Sequence, residues 1–306
     1  MKHRRHISVE ARQVLAKTSE PLADRSLQNL DGLRITTKNN IAPSVDRVLK
    51  QHNVTTEMKA IGGTPCMFVY PPDTQTDWPI LYGFGGGYVS GSPFEDLTIA
   101  APIASITGAV VVIPHYRLAP EHPWPAAIDD GLSVYRELSQ RPFAVVGESA
   151  GGNFCLALML RAKILGMSLP SAAALMSPWC DLTNSGDSLS SNDGRDPILT
   201  AQHVNFAAKH YAGENDLNDP IISPINGDFD ETFPPTLITS GSRDLLMSQS
   251  SELTNILRRQ GVSVDLRIWE DLWHVFEWDD QLPEAYQSIS EIGEFLTGHM
   301  NKAFEC

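Results

Sequence analysis

Residues 143–152 read Phe143-Ala144-Val145-Val146-Gly147-Glu148-Ser149-Ala150-Gly151-Gly152, and the reading of this stretch decides the fold. Phe143 to Val146 is a short apolar run, the pattern of a strand buried on both faces of a parallel sheet. Ala150 to Leu165 contains no proline and is rich in Ala and Leu, which predicts a helix. Between them stands G-x-S-x-G, so the motif falls on a strand-to-helix turn, the one context in which it carries chemical meaning. The glycines let helix and neighbouring strand approach a sharp corner, and the corner projects the serine hydroxyl. Ser149 is therefore a candidate nucleophile rather than a helix-capping serine.

Outward from this turn the alternation continues. Ala109–Ile113 predicts another buried strand, followed by a helix over Trp124–Leu138. Downstream, Ser171–Met176, Thr236–Thr239 and Val264–Trp269 read as strands, with helices over Ser248–Gln260 and Pro283–Leu296. Upstream, short β-rich runs such as Pro65–Tyr70 and Pro79–Tyr82 lie between Gly and Pro, and residues 8–50 read as a helical lead-in. The expected fold class is α/β, a mostly parallel central sheet flanked by helices. Residues 181–220 break the rhythm: they are rich in Asp, Asn, Ser and Gly, with a helical patch only at Ala201–Tyr211. So long an excursion in an α/β chain predicts a functional lid.

Composition narrows the function. The 306 residues carry 23 Lys+Arg against 37 Asp+Glu, a formal charge of −14, which excludes a nucleic-acid partner because a phosphate backbone would be repelled. Apolar residues at 42% and charged residues at 20% exclude a disordered or coiled-coil chain. Cys66, Cys155, Cys180 and Cys306 are scattered, so neither a zinc site nor a disulfide framework is expected, and a reducing compartment fits best. The basic start Met1–His6 resembles the opening of an export signal, but Ser8, Glu10, Arg12 and Gln13 interrupt any apolar core behind it. With no apolar run of membrane-spanning length, a soluble cytoplasmic protein is expected.

A second chemical signal is Gly83-Phe84-Gly85-Gly86-Gly87-Tyr88, at the end of a predicted strand. Adjacent glycines let main-chain N–H groups converge on one point, as an acyl-transfer enzyme needs where negative charge develops. No G-x-G-x-x-G and no phosphate-binding P-loop pattern can be laid over this or any other stretch, so nucleotide binding is not expected. A serine needs an imidazole to take its proton and a carboxylate to hold that imidazole. Of nine histidines, His274 lies just past the last predicted strand, on the edge where α/β folds gather functional loops. Asp244 follows the preceding strand in the same way. His115 is the competing histidine, His203 and His210 sit on the lid helix, His3, His6 and His299 lie near the termini, and Asp265 and Asp271 are reserve carboxylates. The order Ser149, Asp244, His274 is that of α/β-hydrolases.

Several ordered motifs now make the resemblance specific. They are the glycine loop, Tyr116-Arg117-Leu118-Ala119-Pro120-Glu121-His122-Pro123, Gly147-Glu148-Ser149-Ala150-Gly151-Gly152, Ser177-Pro178-Trp179-Cys180-Asp181-Leu182-Thr183 and Ser223-Pro224. From about residue 60 to 297 the chain resembles the hormone-sensitive-lipase-like carboxylesterases of the α/β-hydrolase superfamily. The resemblance implies a Ser149, His274, Asp244 triad, an oxyanion hole from the N–H groups of Gly86, Gly87 and Ala150, and mainly structural roles for Arg117 and Glu121. It also implies a cap. The expected organisation is a helical cap segment at 1–50, a catalytic domain at 51–180 and 221–306, and a cap insertion at 181–220. One position departs: the family's loop usually begins with histidine, and here Phe84 stands there, an apolar ring expected to pack the loop while the main-chain donors survive.

The expected activity is hydrolysis of short- to medium-chain acyl esters through an acyl-enzyme, with no metal or cofactor and with a small-molecule ester as the partner. Lactone hydrolysis is the alternative within the class, and a non-catalytic binding relative the alternative outside it. Candidate pocket residues are Phe84, Tyr88, Trp179, Phe206, Tyr211 and Phe276. A homodimer remains open.

Overall fold

The apolar runs of the sequence become the middle of one sheet. The computed structural model describes residues 6–17 and 29–305; the start Met1–Arg5, with His3, and Cys306 lie outside them. In chain order the elements are α1 (Val9–Ala16), α2 (Leu30–His52), β1 (Thr55–Ile61), β2 (Thr64–Tyr70), β3 (Ile80–Gly83), α3 (Leu97–Thr107), β4 (Val111–Pro114), α4 (Ala126–Leu138) and β5 (Ala144–Glu148). They continue with α5 (Ala150–Ile164), β6 (Ala172–Met176), α6 (Asp187–Ser191), α7 (Ala201–Ala212), β7 (Thr236–Gly241), α8 (Met247–Arg259), β8 (Val264–Trp269) and α9 (Pro283–Glu305).

The strands lie in the order β1-β2-β4-β3-β5-β6-β7-β8. The β1–β2 and β2–β4 pairings are antiparallel and the others parallel. Every residue of β5 is buried, because β3 and β6 flank it and helices cover both faces. Its Val146 pairs with Tyr82 on one side and Ala174 on the other. The outer strands behave differently: in β1 no residue is fully buried, and in β8 only Val264 is. Edge strands need only one covered face, which is why their sequences are polar.

Parallel pairing from β3 through β8 brings the carboxyl ends of β3, β5, β7 and β8 to one edge of the sheet. The loops that leave this edge carry the glycine loop, Ser149, Asp244 and His274, the placement expected for functional loops of an open α/β sheet.

Candidate active site

Ser149 sits at the sharp turn from β5 into α5 with φ 53° and ψ −119°, a conformation that a non-glycine residue adopts only where its surroundings hold it. Those surroundings are glycine backbones. A side chain at Gly147 would fall on the Gly151 carbonyl, and one at Gly151 on the Gly83 carbonyl. The Ser149 N–H donates to the Met176 carbonyl at 2.9 Å, and its own carbonyl accepts from the Trp179 N–H at 3.0 Å. The turn is thus tied into β6, and the hydroxyl stands at the amino end of α5, where the helix dipole favours negative charge.

Ser149 Oγ lies 2.9 Å from His274 Nε2, and His274 Nδ1 lies 2.9 Å from Asp244 Oδ1. Asp244 is fully buried, yet both its oxygens have donors: the Leu246 N–H reaches Oδ1 at 2.8 Å and Ser240 Oγ reaches Oδ2 at 2.8 Å. Burial pushes its carboxyl pKa up, but the His274 ring and these hydrogen bonds outweigh burial and hold it below the ordinary carboxylate range. For His274 burial pulls the pKa down; Asp244, with Asp196 and Glu277, outweighs it and leaves the imidazole raised. The imidazole is therefore held beside a fixed negative charge that favours its protonated form. His115, His203 and His210 make no bond to Ser149 among the described residues. Of the reserve carboxylates, Asp271 accepts from Arg243 at 3.0 Å and Asp265 lies on exposed β8 beside Arg267 at 3.6 Å.

Gly86 and Gly87 follow β3 with φ 102° and 65°. A side chain on Gly86 would meet the Ser90 carbonyl, and one on Gly87 the Cβ of Ala207 on α7. Among the described residues, the N–H groups of Gly86, Gly87 and Ala150 donate to no protein acceptor. Phe84 lies below the loop: its ring stacks on Tyr116 with centroids 3.9 Å apart and planes 2° apart, and the Tyr116 hydroxyl donates to the Phe84 carbonyl at 2.5 Å. An aromatic stack and one main-chain hydrogen bond brace the loop from beneath.

A family model described as the alpha/beta hydrolase fold matches residues 80–278. The chain belongs to the α/β-hydrolase family. It is 34% identical over 225 residues to an esterase of Acinetobacter venetianus, covering 71% of this chain and 74% of the relative. It is 32% identical over 231 residues to an acetyl-hydrolase of Streptomyces hygroscopicus, covering 74% and 77%. Among solved structures it resembles the esterase EstE5 at a TM-score of 0.87 and 30% identity, and a hormone-sensitive lipase from a metagenome library at 0.87 and 32%, each over 95% of this chain and 97% of the other.

In this α/β-hydrolase a cavity of about 410 Å³ opens over Ser149 and His274. Its apolar walls come from α2 (Leu33, Ile41), from Trp179, and from the excursion (Ile198, Leu199, Phe206), with Gly86 and Gly87 at its floor. Trp179 and Phe206 therefore face it. Phe84, Tyr88, Tyr211 and Phe276 do not, and the structure corrects their placement. Each belongs to the core: Phe84 stacks on Tyr116, Tyr88 stacks on Tyr211 at 3.8 Å, and Phe276 packs on Trp269 at 5.5 Å. An aromatic residue near a catalytic motif is as useful for bracing the loop as for lining a pocket, and sequence position cannot separate the two. Ala150 is buried behind Ser149 and is not part of the wall.

The sequence also left carboxylates unread. Glu148, inside the nucleophile motif, lies beneath Gly85, where any side chain would overlap its carboxyl group. Burial, then the neighbouring Asp96, pushes its pKa well above the ordinary carboxylate range, which favours the protonated form. Glu277 accepts from Thr239 at 2.6 Å and from Ser288 at 2.8 Å. Asp196, in the excursion, accepts from the His274 N–H at 2.9 Å. The one signal for Asp196 was its place before Pro197 in a polar loop, which marks a turn but not a contact with a residue so distant in sequence.

Proposed function

We propose that the chain hydrolyses esters of short- to medium-chain carboxylic acids by way of an acyl-enzyme on Ser149. It is a carboxylic ester hydrolase of the α/β-hydrolase fold, and the observation that supports this route is the pair of 2.9 Å hydrogen bonds running from Ser149 through His274 to Asp244. His274 takes the serine proton as Oγ attacks the ester carbonyl. The oxyanion is met by the N–H groups of Gly86, Gly87 and Ala150 at the amino end of α5. His274 then gives its proton to the leaving alkoxide, and a water molecule, activated by the same imidazole, releases the acid. Asp244 fixes the tautomer and stabilises the imidazolium.

The cavity of about 410 Å³, of a volume that suits a small ligand, supports the acyl range. The proposed organisation keeps 51–180 and 221–306 as the catalytic domain, with residues up to 50 and 181–220 as its cap. Support comes from the wall, where α1, α2 and α7 all contribute. No described helix is long and apolar enough to cross a membrane. The free, buried thiols of Cys66, Cys155 and Cys180 support a cytoplasmic setting, and the exposed edge β8, with Ile268 43% exposed, is where a second copy would pair in a homodimer.

The test is turnover of p-nitrophenyl esters from acetate to decanoate, with lactones alongside, by the native chain and Ser149→Ala. Turnover greatest on the shorter linear esters, loss of at least about 10⁴-fold in Ser149→Ala, and a single organophosphate adduct on Ser149 are expected. Turnover retained by the variant, or an adduct elsewhere, overturns the assignment.

A further inference from the structure

Asn192, buried at the end of α6, donates Nδ2 to the main-chain carbonyls of Asp244 at 2.9 Å and Ser242 at 3.2 Å. Its own carbonyl accepts from the N–H groups of Arg195 at 2.8 Å and Asp196 at 3.1 Å. The Arg195 carbonyl accepts from Arg243 at 3.3 Å. Asp196 Oδ2 accepts from the His274 N–H at 2.9 Å, and Oδ1 from the N–H groups of Ile198 and Leu199 at 2.8 and 3.1 Å. Residues 192–199 are therefore a strap tied to the loop that carries Asp244 and to the loop that carries His274. The same carboxylate fixes the turn that presents Ile198 and Leu199 to the cavity.

We propose that Asp196 is a positioning residue for His274, and that the strap it belongs to holds the base in register with both the acid and the apolar wall. The inference rests on the assignment of Ser149, His274 and Asp244 made above. Two effects of Asp196 can be separated. Its hydrogen bond sets where the His274 main chain lies, and a misplacement near 1 Å at a reacting group costs about a hundredfold in rate. Its charge acts on the ring. The ionisable groups facing His274 are Asp244 from the loop after β7, Asp196 from the strap and Glu277 from the turn before α9, while neighbouring Arg243 is engaged by Asp271. Asp196 faces burial and the Asp244 charge, which push its pKa up to about 6, so above that pH it adds a second carboxylate to those favouring the imidazolium.

Asp196→Asn keeps the shape but removes the charge and replaces one acceptor by an N–H₂ group facing a main-chain N–H. Asn192→Ala removes the tie to the acid loop without changing charge. The native chain, both variants and Ser149→Ala are assayed on p-nitrophenyl butyrate between pH 4.5 and 9, with kcat and KM separated and folding followed by circular dichroism. In Asp196→Asn, kcat falls about tenfold to a hundredfold, KM moves little, and the rising limb of kcat/KM shifts to lower pH because the imidazole has lost a stabilising charge. In Asn192→Ala, kcat falls and the limb stays in place.

A folded Asp196→Asn whose limb does not move overturns the proposal, whatever its kcat, because a merely structural tie lowers the rate equally at every pH. If that variant does not fold, Asn192→Ala decides: unchanged kcat overturns the strap and a lowered kcat with unchanged KM supports it. Turnover retained in Ser149→Ala would instead remove the triad assignment itself, so the two failures are distinguishable.

Discussion

Phe84 occupies the position from which a histidine would have braced the glycine loop by hydrogen bonds, and it is fully buried against Tyr116. The bracing here is a chain of rings: Tyr116 also stacks on Phe154 at 4.9 Å, and Tyr88, at the other end of the loop, donates to Asn153 at 2.8 Å. Asn153 in turn donates to the carbonyls of Trp179 and Ile222, both at 2.9 Å. The loop therefore rests on helix α5, the same helix that begins at Ser149, the proposed nucleophile. Phe84→His would put a polar ring into a fully buried aromatic stack, and a ring nitrogen left without a partner there costs about 1–3 kcal/mol. The expected outcome is a lower denaturant midpoint, with kcat on p-nitrophenyl butyrate within about tenfold, roughly 1.4 kcal/mol. A larger change in kcat with stability intact would mean that Phe84 acts on the oxyanion donors and not on the fold beneath them.

At the scale of elements, what could be read from sequence followed from whether an element has two unlike faces. The strands β4 to β7 were legible because apolar runs bounded by glycine and proline have few other interpretations, β8 because its apolar residues alternate with Asp265 and Arg267, and α4 and α8 because their apolar faces repeat at helical spacing. Helix α3 escaped: Leu97 to Ala104 is buried residue after residue and carries Pro102, so it has no polar face to set a period and contains a residue that argues against a helix. Strand β1 was only loosely placed for the converse reason, since it buries no residue fully. Ser149 and His274 could be proposed as partners from chain order, whereas the bond from His274 to Asp196 could not, because that partner is chosen by the fold of the excursion. Helix α7 in that excursion can be tested directly. It presents Phe206 and Ala207 to the cavity, with Ala207 against the position a Gly87 side chain would take. Phe206→Ala removes a large half-buried ring from the wall and leaves the loop contact in place. The ratio of kcat/KM for decanoate over butyrate esters should rise by about tenfold, the scale on which hydrophobic pockets discriminate chain length. An unchanged ratio would place the acyl group elsewhere in the cavity.

Over the whole molecule, stability and activity should run in opposite directions with pH. The buried carboxyl groups of Glu148, Asp96, Asp196 and Glu277 are all shifted upward, in each case first by burial, Asp196 to about 6. A carboxyl group whose pKa is higher in the folded than in the unfolded chain binds more protons when folded. Its contribution is fully present below the unfolded value near 4 and is lost as pH rises through the folded value. Asp244 has the opposite sign, but its lowered pKa matters only in strongly acidic solution. The formal charge of −14 adds self-repulsion that rising pH does not relieve. The melting temperature should therefore be higher at pH 5.5 than at pH 8.5, while ester hydrolysis rises over the same interval as His274 loses its proton. Glu148→Gln, which keeps the neutral form of that side chain at every pH, should flatten the fall in melting temperature. Calorimetry at both pH values on the native chain and this variant decides: a native melting temperature that climbs toward pH 8.5, or a variant with the same slope, would mean that these buried acids do not govern the pH dependence of stability.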